Sequence, residues 1–329
     1  MRLVFSLRSP LGTWALLALG VLCTGTALAQ TMYPDKPLRF VVPYPPGGGT
    51  DVIARIVQER FGAALGQAII IDNKGGAGGS VGSELVARAA PDGYTVLFTL
   101  SSHTINPAIY PKLSFDTIKD FEAIGTVASL PQILVANPQV PANTVAELVA
   151  LAKAKPELLA YASVGNGSPG HLAGELFKLR TGTQMTHIPY RGGGPAVVDV
   201  ISGQVPLLWV SIPAAAQFVK TGKLRALAVS TLKRSAAFPD VPTVQESGVP
   251  DFEVDSWYAM FVPARTPQPV IERLNRALNS VLADATIREK LLAQGAEGVG
   301  GTPQALARIV AAELPKWAKL AKDANIKAD

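Results

Sequence analysis

Two hydrophobic patterns alternate along the chain after residue 30. Short apolar runs rich in Val, Ile, Leu and Phe read as buried strands, and they predict strands over 38–42, 68–72, 95–99, 133–136, 159–163, 186–189, 205–209 and 224–230. Between them, apolar residues recur at helical spacing. In the first such segment Ile53, Ile56, Val57 and Phe61 are separated by Arg55, Gln58 and Glu59. This spacing predicts helices over 51–65, 80–89, 144–154, 170–180, 195–202, 213–221, 269–284, 285–294 and 303–324. Thr144 with Glu147 has capping-box spacing, and Thr302-Pro303 places a cap residue before a first-turn proline. Alternation of this kind argues an α/β fold with mostly parallel sheets. From Pro267 onward the chain reads as helical without clear strands, so it must pack on sheets already made. Two α/β units followed by returning helices give two lobes with a cleft between them. The expected division is 30–131 with 262–329 as one domain and 132–261 as the other.

Four glycine-rich loops join predicted strands to predicted helices. They are Pro45–Asp51, Asn73–Gly82, Ser163–His171 and Pro189–Pro195. A helix start has N–H groups without intrahelical partners and carries partial positive charge, and glycines let an anion approach closely. One such loop is as easily a tight turn that binds nothing; four at strand ends favour a site, because ligands of open α/β sheets sit there. Arg191 is the fixed cation of these loops suited to a bidentate carboxylate contact. Ser101 follows another predicted strand and carries a hydroxyl. Asp255 could accept from a ligand amine or cap a loop, whereas Trp257 and Tyr258 read equally as core or hinge packing.

The first thirty residues stand apart from this pattern. Arg2 and Arg8 precede an almost wholly apolar run over 11–22, and Ala27-Leu28-Ala29 is a cleavage signal, so 1–29 reads as an export signal removed near Ala29. The run is short for a membrane anchor. Cys23, the sole cysteine, leaves with it, which excludes a disulfide, a thiolate nucleophile and a cysteine metal site from the mature chain. The formal charge of +5 falls to +3 without Arg2 and Arg8, and no basic cluster implies nucleic acid.

Three motifs compete with the loop reading. Gly165-x-Gly167-x-x-Gly170 matches a dinucleotide fingerprint, but no acidic residue follows about 20 positions on. Gly78-x-Ser80-x-Gly82 matches a nucleophile elbow, yet residues 73–79 separate it from its strand. His103, His171 and His187 lack metal-ligand spacing, although His171 could face the cleft. No cofactor is expected.

The ordered set Tyr33-Pro34, Pro43-Tyr44-Pro45-Pro46-Gly47-Gly48-Gly49-Thr50-Asp51, Asn73-Lys74-Gly75-Gly76-Ala77-Gly78-Gly79, Pro91-Asp92-Gly93-Tyr94-Thr95, Gly165 to Glu175 and Pro189-Tyr190-Arg191-Gly192 resembles the Bug-type substrate-binding proteins of tripartite tricarboxylate transporters. The resemblance covers essentially the whole mature chain. It implies a monomeric periplasmic receptor with a two-lobed, flytrap-like fold of the class II binding-protein type, serving a membrane permease without catalysis. A small carboxylated solute would sit between the lobes. Its contacts would come from Tyr44, Pro46, Gly47, Gly48, Thr50, Asp51 and Ser101 on one side. Gly165, Asn166, Gly167, Ser168, His171, Tyr190, Arg191, Gly192 and Asp255 would supply the other. Val164 stands where a small polar residue is expected. A ligand sensor for a membrane signalling partner, or a serine hydrolase built on Ser80, are the alternative readings. Dicarboxylates, tricarboxylates, amino acids, aromatic acids and neutral amides all stay open as ligands.

Overall fold

The order of elements follows the predicted alternation, with additions at the lobe junction. In the computed structural model, residues 1–4, 33–47, 49–110, 112–190 and 193–326 are described. The cleavage point near Ala29 and the expected site residues Gly48, Arg191 and Gly192 lie outside them. The first lobe opens with β1 (Leu38–Val42), α1 (Gly49–Leu65), β2 (Ile69–Asn73), α2 (Ser80–Ala87), β3 (Thr95–Leu100) and α3 (Ser102–Ile109). β4 (Phe121–Ala136) leads across to α4 (Val145–Ala154), β5 (Ala160–Ser163), α5 (Pro169–Thr181) and β6 (Thr186–Pro189). The second lobe continues with α6 (Gly193–Ile201), β7 (Leu207–Ser211), α7 (Ile212–Lys220) and β8 (Arg225–Val229). β9 (Asp255–Pro263), α8 (Gln268–Ala283), α9 (Ala285–Ala293), β10 (Glu297–Gly300) and α10 (Pro303–Asp323) return to the first. The caps form where the sequence places them. The Thr144 hydroxyl accepts from the Glu147 N–H at 3.1 Å, and the Glu147 carboxylate accepts from the Asn143 N–H at 2.6 Å.

The strands form one sheet in the order β2-β1-β3-β9-β4-β7-β5-β6, with β8 and β10 also pairing β4. The expectation of mostly parallel strands is corrected here. β1 runs parallel to β2 and β3, and β5 to β6 and β7. β9 against β3, and β4 against β7, β8, β9 and β10, are antiparallel. The antiparallel strands are those that carry the chain between lobes and back, so they do not share the direction of the βα units.

β4 also exceeds the predicted run over 133–136. Gly125 and Pro131 look like breakers, but the ladder absorbs them through register shifts between Ala123 and Gly125 and between Thr126 and Ala128. Pro131 still pairs with Asp255, and Gln132 already pairs with Ser211, so one strand changes lobes at that step. β9 pairs with β3 and β4 from Asp255 on. The whole of β9 therefore lies in one ladder with β3 and β4. β10 corrects the expectation of no strands after Pro267; its Glu-Gly-Val-Gly sequence has no apolar alternation to reveal it.

Each lobe has its own core. Phe40, Phe61, Phe98, Met260, Leu274 and Leu278 are buried together in the first lobe. Leu148, Tyr161, Phe177, Trp209 and Phe252 fill one face of the second, and Ile133, Val197 and Val210 the other. α10 belongs to both. Its Leu306 and Val310 pack with Val41 and Phe261, whereas its Trp317 and Leu320 join the second-lobe core together with Ile105 and Ile109 of α3. Between them Glu313 accepts from Thr104 Oγ1 at 2.6 Å, Trp257 Nε1 at 3.1 Å and Trp317 Nε1 at 3.3 Å. No helix of the described residues is long and apolar enough to cross a membrane.

Candidate functional site

The glycine-rich loops of the two lobes meet at a cavity of about 480 Å³. From the first lobe it receives Tyr44, Pro45, Gly49 and Thr50 at the start of α1, Gly78 before α2, Leu100 at the end of β3, and Ser102, Asn106, Ile109 and Tyr110 from α3 and its end. Val164, Asn166, Gly167, Ser168 and Pro169 come from the loop between β5 and α5, and Tyr258 from β9. A groove of about 680 Å³ is larger, but its lining, including Pro107, Phe115, Asp116 and Leu314, takes nothing from the second lobe.

The first loop is shaped by a carboxylate turned away from the cavity. Asp51 Oδ2 accepts from the Gly47 N–H at 2.9 Å and Arg55 Nε at 2.8 Å, and its Oδ1 accepts from Asn73 Nδ2 at 3.0 Å. The same Asn73 amide donates to the Tyr44 carbonyl at 3.1 Å, tying β2 to the loop. Burial alone would raise the Asp51 pKa. The bonds from Arg55, Gly47 and Asn73, with the Arg55 charge, outweigh it and hold the carboxyl below the usual range.

The third loop is braced in the same way from below. The Ser168 hydroxyl caps α5, accepting from the His171 N–H at 3.2 Å, and donates to the Gly165 carbonyl at 2.6 Å. His171 Nδ1 accepts from the Gly167 N–H at 3.1 Å, and its ring stacks on His187 with centroids 3.8 Å apart. In the fourth loop Tyr190 donates to Asp199 Oδ2 at 2.6 Å; burial and that carboxylate push its pKa up to about 12.

The wall between loops is polar but uncharged. The Tyr44 hydroxyl is hydrogen-bonded to Ser102 Oγ and donates to the Gly78 carbonyl at 3.3 Å. Asn106 Nδ2 donates to the same carbonyl at 2.9 Å and to Ser80 Oγ at 3.3 Å. Burial pushes the Tyr44 pKa up to about 12 and holds that of Tyr258 higher still, so both are neutral donors.

Of the sequence-predicted residues, Tyr44, Thr50, Asn166, Gly167 and Ser168 line the cavity. Pro46, Gly47, Asp51, Gly165, His171 and Tyr190 do not line it; Asp51, Gly165 and His171 hold the loops that do, and Tyr190 ties the fourth loop to α6. Ser101 is fully buried and does not line the cavity. Asp255 does not face the cavity either. Both its oxygens accept from Ser129 Oγ at 2.8 Å. Burial raises its pKa, against the Ser129 bond and with help from Glu253 and Glu313, to about 6. Sequence reasoning missed Asn106, Ile109 and Tyr110, and reached Gly78 and Ser102 only as members of a loop and of the strand-end stretch 99–103. Gly78 sat in a loop already singled out, but α3 carries Pro107 in a short run, which hides its helical spacing. No His, Cys, Asp or Glu cluster of the described residues could hold a metal.

A family model described as tripartite tricarboxylate transporter family receptor matches residues 53–326. Protein BugT of Bordetella pertussis is 38% identical over 297 residues, spanning 90% of this chain and 91% of that protein. Among solved structures, the periplasmic binding protein BugD aligns with a TM-score of 0.76 at 36% identity, covering 90% of this chain and 100% of that one. A protein of R. palustris solved with adipate gives a TM-score of 0.79 at 35% identity, covering 90% and 99%. Likeness of this extent, over both lobes and the loops between them, means that the chain belongs to the tripartite tricarboxylate transporter receptor family, the periplasmic solute-binding proteins of the Bug type.

Proposed function

We propose that this protein captures a small carboxylated solute in the cavity between its lobes and delivers it to a tripartite tricarboxylate-type permease. The coarse role comes with the family, which is one of solute-binding receptors and not of enzymes. The observation that carries the finer reading is the cavity itself. The starts of α1 and α5 both contribute to it, through Gly49 and Thr50 on one lobe and Ser168 and Pro169 on the other. Helix starts stabilise an anion by their N–H groups and dipoles, and they do so more strongly once closure excludes water. A neighbour 35% identical was solved with adipate, a dicarboxylate. Arg191, in the fourth loop, would add a bidentate contact to a carboxylate.

In this reading the protein is exported and freed of its leader near Ala29, and it works as a monomer. N-terminal sequencing of the periplasmic product is expected to begin near Gln30. The functional test is a thermal-shift screen against carboxylates, amino acids, neutral amides and nucleotides. Binding to the folded form raises Tm in a saturable, concentration-dependent way. Carboxylate hits that disappear in an Arg191→Ala variant support the proposal. A panel in which no carboxylate acts, or only nucleotides do, contradicts it.

A further inference from the structure

We propose that His171 is a positioning residue for the third loop, and that protonation of its imidazole releases the loop and weakens ligand binding; the binding half rests on the receptor reading above. Asn166, Gly167 and Ser168 of this loop line the cavity, whereas His171 lies behind them in the first turn of α5, 6% exposed. Ser168 already caps α5, so the Gly167 N–H stands outside the capping bonds. His171 Nδ1 accepts from it at 3.1 Å. A ring nitrogen accepts only while it carries no proton. The bond therefore places the hydrogen of the neutral ring on Nε2, and a proton added to Nδ1 would set N–H against N–H. The Gly167 amide must then turn away, and Asn166 and Ser168 move with it.

A second ring holds the loop at its other glycine. His187 of β6 lies flat on His171, with centroids 3.8 Å and planes 7° apart. Its Nε2 is 2.7 Å from Ser163 Oγ, which donates to the Gly165 carbonyl at 3.1 Å and accepts from the Gly165 N–H at 3.2 Å. Gly165 and Gly167 flank Asn166, so the stacked rings brace both sides of a lining residue. A charge on one ring faces the other, and two charges would repel across the stack. The charged groups of the elements around them are already engaged. Tyr161 of β5 stacks on His187 and donates to Glu175 Oε1 at 2.6 Å. Glu175, one turn along α5, is also paired with Lys178 at 2.8 Å. On α10, Asp323 is paired with Lys319, Glu313 accepts from Trp257, and Lys316 donates to the Glu253 carbonyl. Asp199 of α6 accepts from Tyr190. The facing stretches Gln132–Ala136 of β4 and Leu207–Ser211 of β7 carry no charge, and α3 offers Ile109.

Two measurements test this between about pH 8 and about pH 5, the range in which imidazoles change charge. NMR of the isotope-labelled, unliganded protein follows the Gly167 amide and the His171 ring nitrogens, which are expected to shift together, with Nδ1 unprotonated at the alkaline end. Calorimetry with the carboxylate that shifts Tm most, adipate tried first, is expected to show about tenfold weaker binding at the acid end. The probe's own ionisation acts equally on every variant. In His171→Asn the Oδ1 takes the place of Nδ1 and accepts without titrating, so the response due to the imidazole should vanish from both measurements. His171→Leu should bind about tenfold more weakly at alkaline pH, a loss that His171→Asn largely recovers. A merely structural ring would lower Tm in both variants and leave the pH profiles of binding parallel. Parallel profiles for the unaltered protein and His171→Asn, or a Gly167 amide that does not follow His171, overturn this inference and leave the receptor reading standing. If no carboxylate binds at any pH, the receptor reading falls and the binding half with it, and the Gly167 titration alone decides the loop half.

Discussion

Asp51 belongs to the first loop and Asp255 opens β9, and their surroundings drive them in opposite directions. Asp51 is held ionised by three donors, so it contributes stability above the ordinary carboxylate range and loses it as pH falls. Asp51→Ala would leave the Gly47 N–H without its acceptor and the Asn73 amide with only the Tyr44 carbonyl, and is expected to cost about 1–3 kcal/mol in urea denaturation and to weaken ligand binding. Asp255 is the reverse case, with its pKa raised from 3.8 to about 6. Its contribution is full below 3.8 and is lost as pH rises through about 6. Asp255→Asn should therefore gain on the unaltered protein across that window, by roughly 3 kcal/mol at the upper end. Unfolding curves of the two proteins at a series of pH values check this, and parallel profiles would refute it. Both residues stand out in the sequence, Asp51 in a glycine-rich loop and Asp255 after a polar stretch, since turn chemistry exposes such segments. The direction each side chain takes was not legible there, because it depends on Asn73 and Ser129, which approach from other strands.

Helices with regular spacing and caps, such as α4 and α10, are legible nearly to their ends, because local propensity and burial agree there. The elements missed or shortened are those shaped by the lobe junction. β4 passes through Gly125 and Pro131, β9 opens with the polar Asp255 and Ser256, and α3 contains Pro107. Their pairing is set by long-range partners, which override local signals. α10 was legible as a helix but not as the element shared by both lobes. Its Glu313 gathers three donors from α3, β9 and α10. Glu313→Ala should destabilise the protein by about 2–4 kcal/mol by stranding the two tryptophan N–H groups, while Thr104 keeps the Ser101 carbonyl, and Glu313→Gln clearly less, since it keeps an acceptor. The shift of the urea midpoint at constant slope is the measurement. Equal losses in the two variants would contradict the role given to the hydrogen bonds.

At the scale of the molecule, the lobes touch where Gly167 of the second meets Ile109 of the first. A Cβ on Gly167 would lie 2.2 Å from Ile109 Cδ1, and its φ of +69° suits glycine. Gly167→Ala should lower ligand affinity, through strain at this φ and through crowding of the Ile109 side-chain end where that end cannot turn aside. Restoring room with Ile109→Ala in the same chain should recover part of the affinity; no recovery would mean that the contact does not limit binding. The central claim is that a carboxylated solute is held inside this interlobe cavity. Calorimetric titration with the carboxylate that shifts Tm most, on the unaltered protein and on Val164→Trp, tests it most directly, because that indole would fill the cavity from the third loop. One-to-one binding that Val164→Trp abolishes, with Tm otherwise kept, is the predicted result. Binding that the filled cavity leaves unchanged would contradict the account.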